Sequence, residues 1–400
     1  MNILLFDHPE IRANLLPFTF TRPLADIRCG ILTIREKWKF HLQKEPGFLT
    51  QDYLSMKYPG HAGVDNLIIN GAVCPSYALT KAVSSLKTGQ QIMKDGMLIA
   101  FRGSTENFDK SFHLHQDAEQ AETAVFHEPI NIIQHKWSIF QLNRSEIIND
   151  FEMLTKGRKP QPVADPHTVV YGDQLFIEEG ADIKAAIINA TKGPVYIGKG
   201  ATVQEGAIIS GAFALCDHAT VNMGAKIRGD ATIGPLSKVG GEYSNSVIFG
   251  YSNKGHDGFL GNSVIGEWCN IGADSNNSNL KNNYTEVRLW NYRLGKFENT
   301  GSQFCGLMMG DHAKCGINTM FNTGTVVGVG ANIFGSGFPR NYIPSFAWGG
   351  ASGFSTFKTP KFFETAEAVM KRRNVPLTDM EKGIMTHIFE ATAPNRFWEK

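Results

Sequence analysis

Eight aliphatic residues stand six positions apart: Ile197, Val203, Ile209, Leu215, Val221, Ile227, Ile233 and Val239. The spacing returns at Met309, Cys315, Phe321, Val327 and Ile333. A period of six is neither helical nor the simple alternation of a strand. It predicts a parallel β-helix of hexapeptide units, each a short flat strand and a turn. Three units make one coil, and one residue per unit points into a shared core. Gly200, Gly206 and Gly224 end their units, where a tight corner disfavours a Cβ. A β-sandwich would place turn signals every 8–12 residues instead.

The rhythm breaks twice. Val239 to Ile265 is 26 residues, two more than four units, which predicts an extra piece near residues 251–257. Ile271 to Met309 is 38, and residues 274–302 between them are polar and Asn-rich. Loops set into a regular coil are where solenoids place function. Residues 360–391 read as two helices capping the open end of the coil.

Residues 1–155 follow a different pattern. Strands are expected at 2–6, 66–70 and 97–101. Helices are expected at 26–40, with Ile27, Ile31, Ile34 and Trp38 on one face, at 75–86 and at 138–154. Alternation of the two predicts an α/β, Rossmann-like domain with a largely parallel sheet. Prolines mark residues 156–166 as a linker. The expected organisation is therefore 1–155 α/β domain, 156–166 linker, 167–343 β-helix and 344–400 helical extension.

Composition narrows the picture. The chain has 400 residues and a net charge of +1, which gives no sign of a nucleic-acid partner or a membrane surface. The start of the chain does not read as a signal peptide, and no run of about 18 apolar residues is present. The six cysteines form no CxxC pair and no zinc spacing, which fits a reduced, cytoplasmic setting. Cys315 falls on an inward position and reads as a small core residue. His113 and His115 alternate, as on a strand surface.

The stretch Asn253-Lys254-Gly255-His256-Asp257-Gly258-Phe259-Leu260-Gly261 fills the first break. A histidine on a loop beside a rigid scaffold is suited to general base work near neutral pH. Gly and Asp are equally turn formers, and a solvated turn remains the alternative. The next residues add weight: Asn270-Ile271-Gly272-Ala273, Asn279, Thr300-Gly301, and Met309-Gly310-Asp311-His312-Ala313-Lys314-Cys315-Gly316-Ile317-Asn318.

Together with Gly255-His256 and Phe259-Leu260-Gly261, these motifs resemble the bifunctional sugar-1-phosphate nucleotidyltransferase/acetyltransferases, the archaeal forms most. The resemblance covers about residues 190–335. It implies a left-handed β-helix that acetylates an amino-sugar 1-phosphate with acetyl-CoA as co-substrate. His256 would take the amine proton, and Asn279 would orient His256 or the amine. Arg228 would bind the sugar phosphate, with a surface charge as its alternative. Phe259, Asn270 and Lys254 would contact the substrate. A homotrimer is also implied, with sites between adjacent prisms.

The front of the chain is similar to a divergent nucleotidyltransferase. Leu16-Pro17-Phe18-Thr19-Phe20-Thr21-Arg22-Pro23-Leu24 resembles a family segment with Arg22 in place of Lys. The family's Gly-rich loop is absent, and Gly71-Ala72 stands where a Gly-Asp pair is usual. Arg12, Arg22 and Arg28 are candidates for phosphates of a nucleoside triphosphate, and Asp7 or Asp26 for Mg2+. Ion pairing within the domain is the alternative for all of them. Three readings follow: an enzyme coupling acetylation to nucleotidyl transfer for UDP- or dTDP-sugar synthesis, an acetyltransferase with a non-catalytic front domain, or a sugar-nucleotide-binding scaffold.

Overall fold

The computed structural model describes residues 1–108, 113–114 and 122–399. His115 lies outside the described residues. By internal contacts the chain divides into Met1–Ile27 with Leu32–Ser138, and Arg28–Ile31 with Ile139–Lys400.

In the first unit, β1 (Asn2–Phe6), β2 (Gly47–Leu49), β3 (Asn66–Asn70), β4 (Gln90–Lys94), β5 (Met97–Gly103) and β6 (Glu122–Val125) form one sheet in the order β2-β1-β3-β5-β4-β6. All of β3 and most of β1 is buried, as in strands covered on both faces. The sheet is mixed rather than largely parallel, because β5 runs antiparallel to both β3 and β4. Asp95 and Gly96, both at positive φ, close a two-residue hairpin between β4 and β5. The first long helix is Ile34–Leu42, shorter than expected. A capping box between Thr33 and Glu36 starts it there, which leaves Ile27 and Ile31 outside.

The second unit is a parallel β-helix of three sheets, with six, nine and ten strands. Its core is a continuous aliphatic cluster from Ile177 to Ala347. The positions read from the period of six all point inward: Ile197 through Val239, and Met309 through Ile333, are buried.

The first break is a shortening, not an insertion. Tyr243, Ile248, Lys254, Leu260 and Ile265 occupy successive inward slots between Val239 and Ile271. Gly240-Gly241 turns the first corner in fewer residues. The second break is an inserted loop. It carries the antiparallel hairpin Arg288–Asn291 with Lys296–Asn299, and Trp290 stacks on Tyr342 at 4.3 Å. The hairpin thus folds back on its own coil.

The helix Ser138–Thr155 docks on the early coils through Asn143. Its side-chain oxygen accepts from Gly30 N–H and Thr232 Oγ1, and its Nδ2 donates to the Asp230 carbonyl. At the other end, Phe354 and Trp398 cover the core. The helix Thr359–Lys371 runs along the flank instead of over the end. Phe362 packs on Phe346 and His312, while Arg373 reaches Asn253. Thirteen residues span roughly 20 Å, about four strand spacings of the coil. Among the described residues no helix is long and apolar enough to cross a membrane.

Candidate functional site

Asn253–Lys254 and Phe259–Gly261 are strands of two adjacent sheets, and residues 255–258 are the corner between them. His256 is exposed at that corner. What shapes the corner is Lys254. Its side chain is 1 % exposed and sits in a slot that holds Val239 one coil earlier. Its Nζ donates to the carbonyls of His256 at 2.5 Å, Asp257 at 3.0 Å and Gly240 at 3.4 Å. Burial pulls this ammonium down from 10.5 to about 8, against the opposing pull of Asp257. A buried amine that keeps its hydrogen bonds is tolerable where a bare one would not be. Lys254 therefore faces the coil interior and does not line the groove outside.

That groove, about 690 Å³, lies between one coil face and the helix Thr359–Lys371. His256 and Asn270 both line it. So do Lys238, Asn253 and Lys314, which with Asn270 form an in-register outward ladder on four neighbouring strands. Burial holds the Lys314 ammonium down to about 8, and its Nζ donates to the His312 carbonyl. Tyr251 and Trp268 stack at 4.2 Å beside the ladder. Arg372 and Arg373 come from the facing helix end.

The other expected residues stand across the corner. Phe259 pairs in register with Glu242, and the exposed Arg228 binds Glu242 at 2.8 Å. Asn279 donates to Asn262 Oδ1 at 2.7 Å, close to Gly261. His256 thus sits where the two groups meet, with Asn270 on one side and Arg228, Phe259 and Asn279 on the other. Lys238, Asn253 and Lys314 each precede an inward residue, as Asn270 does, so the period of six carried a signal for them. The part played by Arg372 and Arg373 had none, because it depends on where a helix lies.

In the first unit the candidate residues are bonded to one another. Asp7 is buried and accepts from Leu24 N–H and Thr50 Oγ1, with Arg12 Nε at 3.4 Å. Burial raises its carboxyl, and Arg12 opposes that. Arg12 also donates to the Thr19 carbonyl and Tyr53 hydroxyl. Arg22 and Arg35 both approach Asp26, at 4.0 and 3.8 Å. In the second unit, the Arg28 guanidinium donates to the Phe249 carbonyl. The carboxylates of Asp7 and Asp26 face arginines, and among the described residues no cluster of three His, Cys, Asp or Glu is placed to hold a metal. All six cysteines are buried, and among the described residues none forms a disulfide.

Residues 3–159 match the family model for a sugar nucleotidyl transferase. A bifunctional protein GlmU of Trichormus variabilis is 23% identical over 181 residues, covering 40% of this chain and 39% of that protein. A bifunctional sugar-1-phosphate nucleotidylyltransferase/acetyltransferase of Sulfurisphaera tokodaii is 26% identical over 178 residues, 44% of this chain and 43% of that protein. The chain spans about two-fifths of the length of these curated relatives. Among solved structures, a UDP-N-acetylglucosamine acyltransferase from Campylobacter jejuni aligns with a TM-score of 0.34 at 12% identity, covering 56% of this chain and 95% of that one. Residues 3–159 are thus a sugar nucleotidyl transferase domain, a parallel β-helix follows it in the chain, and at low identity the chain is similar to bifunctional sugar-1-phosphate nucleotidylyltransferase/acetyltransferases.

Proposed function

We propose that the β-helix N-acetylates an amino-sugar 1-phosphate with acetyl-CoA, and that the front domain then transfers a nucleotidyl group to the product. The observation that carries the first half is His256, exposed at a corner held from inside by Lys254 and open to a groove. The thioester lies in the groove and the sugar phosphate across the corner, on Arg228 and against Phe259. Asn270 holds the sugar from the groove side, and Asn279 adds a polar contact on the other. The amine nitrogen attacks the carbonyl carbon. A C–N bond forms, the C–S bond breaks, His256 takes the ammonium proton, and coenzyme A leaves as the thiolate. Lys254 is a positioning residue in this scheme, not a substrate contact.

The match of residues 3–159 supports nucleotidyl transfer. One observation favours the narrower reading, an acetyltransferase with a binding or structural front domain. Asp7, Arg12, Arg22 and Asp26 are engaged within their own unit. We propose a cyclic homotrimer as the working form. Assay of glucosamine 1-phosphate with acetyl-CoA, followed by UTP or dTTP, tests both halves. No acetylation of any amino-sugar phosphate would end the first half. Acetylation without nucleotide-sugar formation would leave the narrower reading.

A further inference from the structure

The corner that presents His256 is built unlike its neighbours. Residues 204–207, 222–225 and 272–275 are other corners that leave the ten-stranded sheet. Each turns on a left-handed third residue, Gly206, Gly224 or Asp274. Each closes with a bond from the fourth N–H to the first carbonyl, at 3.2–3.4 Å. Residues 255–258 do neither. Their left-handed residue is the fourth, Gly258, at a φ of 110°. Among the described residues, Gly258 N–H makes no bond to the Gly255 carbonyl. Strand pairing to the next coil also stops early, at Asn253 with Asn270, whereas the preceding step pairs both Lys238 with Asn253 and Val239 with Lys254.

Side chains hold this corner instead. Lys254 takes the carbonyls of His256 and Asp257 from inside the coil. The Gly255 carbonyl accepts from Asn222 Nδ2 at 2.7 Å. Asn222 follows the inward Val221, two coils back, and is half-buried. Its own main chain is anchored, with its N–H on the Val239 carbonyl and its carbonyl under Ala225 N–H. Gly240 is the rung between Asn222 and Gly255. A Cβ there would come within 2.5 Å of the Gly255 oxygen. The missing side chain makes room for that carbonyl, and Asn222 reaches past it. Pinning the carbonyl fixes the plane of the 255–256 peptide, and with it the Cα of His256. Glycine has the widest choice of backbone conformation, so Gly255 by itself does not hold that plane.

We propose that Asn222 is a positioning residue for acetyl transfer: its amide fixes the Gly255 carbonyl and so aims His256 at the substrate amine. The inference rests on the acetyl-transfer reading and adds a requirement set two coils away. Two competing roles exist. An Asn that only caps a carbonyl would support the fold and leave the chemistry alone. Asn222 also lines the groove beside His256, so it could touch a substrate directly. The test separates all three.

Acetyl transfer is measured for Asn222→Ala, Asn222→Asp and Gly240→Ala, each also made on His256→Ala. The aspartate keeps the size of the side chain but has no N–H to give. Gly240→Ala displaces the same carbonyl and leaves Asn222 in place. The two sites lie on different coils, so a folding defect in one leaves the other to decide. Each variant should lower kcat by about ten- to a hundredfold, as a misaimed catalytic group does, with KM for both substrates unchanged. On His256→Ala none should lower it further, because a residue that acts through another adds nothing once that one is gone. Asn222→Asp with wild-type kcat would overturn the proposal, since packing alone would then suffice. An equal loss on His256→Ala, or a raised KM as the whole effect, would overturn it in favour of a direct substrate contact. A crystal structure of Asn222→Asp needs no turnover. The Gly255 carbonyl should leave its place beside Gly240, and an unmoved corner would overturn the proposal. If the wild type acetylates no amino-sugar phosphate but the corner moves, the acetyl-transfer reading fails and the hold of Asn222 on His256 stands.

Discussion

The Lys254 ammonium lies 2.5 Å from the His256 carbonyl oxygen, inside the coil, in a slot that neighbouring coils fill with Val239 and Ile271. A charged group thus replaces a methyl-bearing one in the core, and its bonds define the corner that presents His256.

The first prediction concerns stability and pH. Burial lowers the Lys254 ammonium from 10.5 to about 8 in the folded chain. Between those values the unfolded chain holds a proton that the folded one has lost. Stability from this group therefore rises as pH climbs from about 8 toward 10.5, by up to about 3 kcal/mol. Thermal melts between pH 7.5 and 9.5 should show a gain in the wild type that is smaller in Lys254→Met. Lys314, also near 8, contributes in the same sense and remains in the variant. Parallel pH curves for the two proteins would refute the assignment to Lys254.

His256→Ala should lower acetyl transfer about 10²-fold or more, because a general base contributes about that much. The side chain is exposed, so folding should be unaffected. Single-turnover kinetics give the clean reading, since product release cannot mask chemistry there. Undiminished turnover removes His256 from the mechanism.

Assembly is testable on one coil face. Val169, Ile187 and Ile208 lie in register on adjacent strands, 42–47 % exposed, with Tyr171 on the outermost strand also exposed. Such a stripe on a flat sheet is a candidate surface for a second copy. Sedimentation should give a trimer, and Ile187→Asp with Ile208→Asp should give a smaller species. A wild-type monomer at micromolar concentration would count against the trimer.

Arg12→Ala should cost about 3 kcal/mol, because it leaves the Asp7 carboxylate buried without its cation. Burial already raises the Asp7 carboxyl above 3.8, and loss of Arg12 raises it further. The penalty grows as pH rises past the wild-type carboxyl's own raised value, so lowering pH should recover part of the loss. Urea midpoints at pH 4.5 and 7.5 give the comparison. An equal loss at both values would mean that the packing of Arg12, not its charge, is what matters.

The β-helix was legible because one residue in six must be apolar to build its core, and Ile197 through Val239 obey that rule. The first break reads as an insertion because shortened corners before Tyr243, Ile248 and Ile265, and a Lys at one inward slot, hide the count. Only the three carbonyls around its Nζ make it a core residue. In the first unit, periodicity placed Ile27 and Ile31 on a helix, but the Thr33 capping box started the helix later. The ladder of Lys238, Asn253, Asn270 and Lys314 was implicit in the same six-residue count. The cationic groove was not, because a net charge of +1 describes the whole chain and says nothing of where its cations gather.

The flank helix has a consequence that its sequence alone does not carry. It is anchored at one end by Phe362 on Phe346 and His312, and it delivers Arg373 to Asn253 at the other. Its fixed rise measures off a fixed number of coils, as a ruler does. Removing one whole coil between those two points would leave every strand pair and core slot intact. It would nonetheless carry the arginines one strand too far, roughly 4.8 Å past Asn253 toward Lys238. The solenoid tolerates a change of length that the ruler beside it does not, and the number of coils between Asn253 and Phe346 is thereby fixed by the helix.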